Sequence, residues 1–374
     1  MKSLYIKTED KRLNDLKKIK SSEIVYIWGN GSYSKTISEY LRETGGFNGR
    51  LIKIVDDEYL ESENSDTISF SSFLKNQSFS YPIVFGFYNY KSILQKKEKW
   101  RNKFHHMYDF HLTTVNGKLL RWDPKKAKSL EQDYATTYNL LSDERSRCLM
   151  QSYLNAAIAG DFHQLFSEFY TPNAYFNETT NYLDITTLID CGAYNGDSIH
   201  DFISEFPDYK KIIAIEPDPS NLIVLRRREK RENIRFLEIQ NKGVSSKSDT
   251  LRFKANGKSD SFLDSSGNIE IHVVTIDEIV SSRNDDPGQM FLKMDIEGGE
   301  LEALHGAVHL ITERTPVLAI CVYHKEMDLI EIPKFIHEVS GSNTYDYHLG
   351  FHGLDLAELV FYAVSRRLTK NNNP

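Results

Sequence analysis

Four short stretches of this chain set acids, glycines and a histidine where chemistry can be done. The first is Asp190-x-Gly192-x-x-x-Gly196-Asp197, between the apolar run Thr187–Cys191 and a helical pattern from Ser198 to Phe206. Glycines there let the backbone approach a ligand and accept positive φ. The helix start offers free N–H groups to a carboxylate or phosphate. The spacing is not the G-x-G-x-x-G of a dinucleotide turn, and the acid ahead of it suits a ligand bearing an ammonium group. Taken alone, the loop reads equally well as a tight turn with a capping Asp. The second stretch, Glu216-Pro217-Asp218, ends the next apolar run, 20 residues after Gly196. A carboxylate at that place accepts hydrogen bonds from ribose hydroxyls; the plainer alternative is a solvated acid at a strand end.

The third stretch runs from Lys293 to Glu300. Asp295 and Glu297 fall at the C-terminal lip of a strand, where doubly wound sheets place ligands. Glu300 and Glu302 read as first-turn helix charges favoured by the macrodipole. The fourth is Cys321-Val322-Tyr323-His324-Lys325. His324 follows an apolar strand at the same lip, so Asp295 and His324 are the candidate proton acceptors. Asp295, Glu297 and His324 together are also a set for a hard divalent ion. A structural role for Glu297 is the favoured reading, and no metal is expected. His305 and His309 share a helix face, but no third zinc ligand is in view. Arg226-Arg227-Arg228 reads as a solvated face, or as a surface for an anionic carrier.

These stretches need strands and helices to hold them. Thr187–Cys191, Lys211–Ile215, Ile234–Ile239, Phe291–Met294, Pro316–Tyr323 and Leu359–Val364 read as strands. Leu222–Arg231 and Glu300–Ile311 read as helices. A separate unit precedes them, with strands at Ile24–Trp28, Arg50–Val55 and about 80–86. Its Gly29-x-Gly31-x-x-Ser34 turn has Asp56 22 residues after Ser34, a dinucleotide layout with Ser for the last Gly. A docking or dimerising domain is the favoured reading of this unit, ahead of nucleotide binding. The aromatics from Phe79 to Phe110 (Tyr81, Phe85, Phe87, Tyr88, Tyr90, Trp100) read as core, and His105-His106 as surface. The division is therefore a Rossmann-like unit at 1–125, a helical connector at 126–184 and a second α/β unit at 185–374.

Composition narrows the field. The 374 residues are 40% hydrophobic and 26% charged, with a mean hydropathy of -0.48. That is a globular chain with ample core. A net charge of -7 argues against gripping a nucleic-acid backbone. No apolar run approaches the ~20 residues of a membrane span. Glu9 and Asp10, with no apolar stretch beside them, argue against a signal peptide. Three cysteines without a CxxC pair suit a reducing cytoplasm.

With these residues in view, the second unit resembles the FkbM family of S-adenosylmethionine-dependent methyltransferases. The resemblance rests on LIDCGAYNGDS, AIEPDPSN, IQNKGVS, FLKMDIEGGELEALHGA and LAICVYHKEMDLIEIPKFI, together with YNLLSDERS, AYFNE and the Tyr345–Val364 tail. It spans about residues 127–365. It implies an α/β fold of two Rossmann-like units, the C-terminal one a seven-stranded class I methyltransferase sheet. It implies S-adenosylmethionine as cofactor, with Asp190, Gly192, Ala193, Tyr194, Gly196 and Asp197 at the methionine half. Glu216 would hold the ribose, Pro217 and Asp218 would shape the adenine side, and Gln240 to Gly243 would border the adenine edge. Asp295 would face the reacting methyl. Family members often carry Asp where this chain has Asn195, so one charge is missing beside the methionine end. The family implies O-methylation of a sugar or glycan precursor in polysaccharide biosynthesis, with a small-molecule or carrier-linked acceptor. A homo-oligomer formed through the N-terminal unit is a further expectation. Two other readings stand beside it: an NAD-dependent sugar-modifying oxidoreductase run by the first unit, and a non-catalytic scaffold for glycan assembly. A nucleic-acid methyltransferase is disfavoured by the acidic balance and by the lack of an Asn/Asp-Pro-Pro-Tyr loop.

Overall fold

Runs of β-branched and aromatic residues, closed by glycine turns, build two sheets in this chain. The computed structural model describes all residues except 1–3, 6, 8–10, 77–78, 88, 111–113, 116–117, 120–121, 258–260, 282–287, 355 and 372–374. Glu9, Asp10 and Tyr88 of the sequence reading lie outside the described residues. The first sheet has β1 (Ile24–Trp28), β2 (Arg50–Val55), β3 (Thr67–Ser69), β4 (Ile83–Phe85) and β5 (Met107–Asp109). Their order is β3-β2-β1-β4-β5, and every pairing is parallel. β4 starts only after Pro82, which has no N–H to give a ladder.

The second sheet holds seven strands. They are β6 (Thr187–Cys191), β7 (Lys211–Ile215), β8 (Leu237–Gln240), β9 (Met290–Met294), β10 (Val317–Cys321), β11 (Tyr345–Phe351) and β12 (Leu359–Ser365). Their order is β8-β7-β6-β9-β10-β12-β11. β12 runs antiparallel to both neighbours, and the other pairings are parallel. β6, β9 and β10 are buried at every residue, as strands covered on both faces must be. This is the expected α/β architecture, and its strand order is that of a class I methyltransferase sheet.

Some elements differ from the sequence reading. The third strand begins at Leu237 rather than Ile234, because Asn233 and Phe236 adopt positive φ and break extended pairing there. The helix expected over 300–311 stops at His305, and a π turn follows at Leu310–Arg314. Between β8 and β9 the chain adds a four-stranded sheet from 243–244, 249–254, 262–263 and 269–274. Its strands are short and half exposed, so they lack the apolar runs that marked the others.

The connecting helix α1 (Glu144–Ala159) is buried along most of its length. Asp143 caps its first turn through the Ser146 N–H, at 2.7 Å, and Gly160 ends it in the left-handed region, at φ 70. Ser146 Oγ accepts the Leu349 N–H of β11, at 3.0 Å. Arg12 of the first unit donates to the Ile158 carbonyl, at 3.1 Å. The helix is thus bonded to both units.

Two contacts fix the parts around the lip of the second sheet. In the first, Lys293 and Asp190 are register partners on β9 and β6. Lys293 Nζ lies 3.1 Å from Asp190 Oδ1, with both side chains buried, and donates to the Gly192 carbonyl at 2.7 Å. Ser198 Oγ donates to Asp190 Oδ2 at 2.6 Å. In the second, His352 holds the segment after Thr171 through Thr171 Oγ1, at 3.0 Å, and Tyr362 Oη, at 2.8 Å.

Each contact yields a prediction. Lys293→Met leaves a buried carboxylate without its partner, which costs about 3–5 kcal/mol. Adding Asp190→Asn should recover part of that loss, as read from urea midpoints. An unchanged midpoint for Lys293→Met would contradict the pairing. Burial lowers the His352 pKa from 6.5 to about 4, against a smaller opposite effect of the Thr171 carbonyl. The folded state therefore resists a proton that the unfolded chain accepts. The stability is present above pH 6.5 and falls as the pH drops toward 4, by up to ~1.4 kcal/mol per pH unit. His352→Asn should flatten that acid slope, measured by urea unfolding at several pH values.

Candidate active site

β6, β7, β9 and β10 end at one lip, and the four chemically suggestive stretches emerge there together. The loop after β6 turns back at Gly192, whose φ is +79. A Cβ at Gly192 would lie 1.9 Å from the Asp295 carbonyl oxygen, so only glycine lets the loop rest on the end of β9. Gly196, at φ 82, opens the helix α2 (Asp197–Glu205). Asn195 Oδ1 accepts the Asp197 N–H at 3.1 Å and Arg228 at 3.2 Å. Arg228 therefore anchors the glycine loop, while Arg226 and Arg227 are exposed.

Glu216 is the first residue past β7 and is buried. Its Oε2 accepts the Tyr194 N–H at 2.9 Å, and its Oε1 accepts the Asp218 N–H at 2.8 Å. Burial raises its pKa, against the opposing pull of these N–H groups. Oε1 also accepts Asn221 Nδ2 at 3.4 Å, so the acceptor position left over is on Oε2, beside the cleft. Asp218 is spent differently. It caps the helix α3 (Pro219–Glu232) through Ser220 N–H, at 2.8 Å, and holds Gly257 N–H and Ser261 Oγ at 3.0 and 2.9 Å.

A cleft of about 380 Å³ runs along the lip. Gly192, Tyr194, Asp197, Glu216, Pro217 and Asp295 line it. Gly243 lines a small adjoining apolar cleft with Ile215, Pro217, Val244, Phe253 and Leu263. Asp190, Ala193, Gly196 and Asp218 stand behind this lining. Asp190 meets Lys293 and Ser198 rather than the cleft. The Ala193 N–H joins the Ile215 carbonyl at 3.1 Å.

At the far end of the cleft, Asp295 is one-fifth exposed. Its Oδ2 accepts Tyr175 Oη at 3.2 Å and its Oδ1 accepts Tyr323 Oη at 3.4 Å. Burial, reinforced by the Asp295 charge, pushes both phenols well above their usual range, so both remain neutral donors. His324 lies behind Asp295 with no exposed side-chain surface; its Nε2 is 3.4 Å from Asp295 Oδ1 and 3.5 Å from Glu297 Oε2. Its Nδ1 is 3.0 Å from Glu300 Oε1. Burial opposes a charged ring there, but Glu300, Glu297 and Asp295 outweigh it and raise the His324 pKa well above the usual value. Glu300 is in the first turn of the helix α4 (Glu300–His305) as expected, yet it is fully buried. It accepts the Ile296 and Gly298 N–H groups at 2.9 and 3.3 Å, holding the loop that carries Glu297.

Tyr175, Lys293 and Glu358 also line the cleft and had no role in the sequence reading. Tyr175 sits within AYFNE, and Lys293 is a lone charge inside a buried strand, itself a sign of a buried partner. Tyr194, Glu297 and Glu358 line the cleft with positive φ, a cost that non-glycine residues bear mostly at functional sites.

The turn of the first unit is arranged otherwise. The Asp56 carboxylate accepts Trp28 Nε1–H at 2.9 Å and pairs with Lys96 at 3.0 Å. A Cβ at Gly86 would lie 2.8 Å from Ser34 Cβ, so the small Ser34 serves close packing. Phe85 is buried and Phe87 packs on the core, while His105 and His106 are exposed.

Residues 190–347 match the family described as the methyltransferase FkbM domain. None of the curated proteins compared matches the chain. The crystal structure of methyltransferase FkbM from Methylobacillus flagellatus KT is similar to it, with a TM-score of 0.72 and 21% identity, covering 95% of this chain and 94% of that one. An rRNA methylase from Streptococcus thermophilus aligns with 49% of this chain and 87% of its own, at 12% identity and a TM-score of 0.31. The match to the methyltransferase FkbM domain over residues 190–347 thus falls on the sheet and the lip just described.

Proposed function

We propose that the chain is an S-adenosylmethionine-dependent methyltransferase that acts on a hydroxyl oxygen of a sugar or glycan precursor. When bound, S-adenosylmethionine supplies a methyl group made electrophilic by its sulfonium. Glu216 is the residue for the ribose, the Gly243 cleft is the place for the adenine, and the loop from Gly192 to Asp197 is for the methionine half. Asp295 carries the chemistry on the acceptor side. Its carboxylate is partly exposed at the end of the cleft, oriented by the Tyr175 and Tyr323 hydroxyls. That is the observation on which the reading rests. Asp295 takes the proton of the acceptor hydroxyl as oxygen becomes the nucleophile. His324 has no exposed side-chain surface, so it positions Asp295 rather than accepting from the substrate. Holding the acceptor in line contributes further, up to ~7–11 kcal/mol in well-oriented reactions.

The occupied Asp56 carboxylate counts against an oxidoreductase run by the first unit. Among the described residues no helix is long and apolar enough to cross a membrane.

The test is S-adenosylhomocysteine release across a panel of sugar and nucleotide-sugar acceptors. Asp295→Asn should lower kcat by about 10²–10⁴-fold while calorimetric affinity for S-adenosylhomocysteine stays near the wild-type value. Turnover close to wild type in Asp295→Asn would contradict the assignment. Hydride transfer to a nicotinamide, with no methyl transfer to any acceptor, would move the chemistry to the first unit.

A further inference from the structure

Carboxyl groups crowd the buried ring of His324. Asp295, Glu297 and His324 Nε2 form one cluster of ligand atoms within 4.8 Å of one another, and Glu300, Asp328 and His324 form a second. Four carboxylates thus surround one imidazole. Lys293 is committed to Asp190 and the Gly192 carbonyl, and Lys325 Nζ is turned to the Gly298 carbonyl.

The ring geometry is the second observation. The His324 side chain has no exposed surface, and neither ring nitrogen makes an aligned hydrogen bond. A charge-assisted N–H···O contact closes to about 2.7–2.9 Å. Here Nε2 stands 3.4 and 3.5 Å from its two carboxylate oxygens. Neighbouring octahedral ligands lie about 3.0 Å apart around Mg²⁺ and up to about 3.5 Å around larger hard cations, so these spacings need close by only a few tenths of an ångström around an ion. Behind the ring, Nδ1 faces the Glu300 carboxylate at 3.0 Å. A carboxylate behind a histidine is the usual support of a ligating imidazole, turning its other nitrogen toward the metal.

We propose that Asp295 Oδ1, Glu297 Oε2 and His324 Nε2 bind a hard divalent cation of the Mg²⁺/Mn²⁺ class at the end of the cleft. This rests on the methyltransferase reading above and deepens it. It also replaces the structural role that the sequence alone favoured for Glu297. Asp295 and Glu297 line the cleft, so the ion keeps open positions on that side for water and for acceptor oxygens. The acceptor class is then one with two adjacent oxygens, such as a vicinal diol, able to chelate. The ion weakens the O–H bond of the bound hydroxyl. The proton goes to Asp295 Oδ2, the oxygen that Tyr175 holds and the ion does not use.

Manganese alone is the probe. Chelator-stripped full-length protein is titrated with Mn²⁺ and free Mn²⁺ is read by electron paramagnetic resonance, with S-adenosylhomocysteine affinity measured in parallel. Wild type should take up one ion per chain with a dissociation constant on the order of 10⁻⁴ M, and Mg²⁺ should displace it. Glu297→Gln should weaken Mn²⁺ uptake by about tenfold or more with S-adenosylhomocysteine affinity kept. Glu216→Ala should do the reverse, so loss of the cofactor site and loss of the ion site are read separately. Wild type that takes up no Mn²⁺ at millimolar concentration would overturn the proposal. Uptake unchanged in both Glu297→Gln and Asp295→Asn would overturn it too. If Glu297→Gln loses both ligands through misfolding, Asp295→Asn and the wild-type titration still decide.

Discussion

The lip of the second sheet depends on one buried ion pair. Removing Lys293 and Asp190 from water costs several kcal/mol per ion, and their attraction returns that only with good geometry and satisfied neighbours. Much of that support is present. The two residues face each other across adjacent strands, Ser198 takes one Asp190 oxygen, and the Gly192 carbonyl takes a further Lys293 proton. The pair therefore ties together the ends of β6 and β9 and the glycine loop that follows β6. Gly192 completes the junction by letting the loop rest on the Asp295 carbonyl. Lys293 also lies beneath the Tyr175 ring, 5.3 Å from its centroid, and Tyr175 in turn orients Asp295.

Around that junction the acids divide the work according to what already bonds them. Asp190, paired with Lys293, and Asp218, hydrogen-bonded by the protein, both shape the walls. Glu216 is held by two backbone N–H groups and the Asn221 amide, and its Oε2, with one donor, faces the cleft. Asp295 is oriented by neutral phenols and remains open on one side. Glu297 reaches its position only because its backbone adopts φ 57 and because Glu300 holds the loop on either side of it. Acidic side chains thus stand as buried counter-ion, helix cap and cleft-lining carboxylate, and the difference lies in burial and partners.

Much of this was legible in the sequence. Strands buried on both faces announce themselves as apolar runs, and β1, β2, β6 and β7 match their expected bounds. Gly192, Tyr194, Glu216 and Asp295 come together on one cleft because each follows such a strand at the same end of the sheet. Other features were not legible. The small sheet over 243–274 has short strands with one wet face, so its pattern is weak. Glu300 reads as a solvated helix charge, and only tertiary packing shows that it is buried against His324. Lys293 was visible as a charge in a buried strand, but naming its partner requires the register of β6 and β9. Asp190 looked like a ligand to the cofactor's ammonium group, and the sheet turns it inward instead.

The central claim is that the cleft between Gly192 and Asp295 holds S-adenosyl cofactor through Glu216. Calorimetric unfolding with S-adenosylhomocysteine tests it most directly. At 100 times its dissociation constant the ligand should stabilise the wild-type domain by about 2.7 kcal/mol, and Glu216→Ala should abolish the shift. No shift in wild type, or the same shift in both proteins, would contradict it.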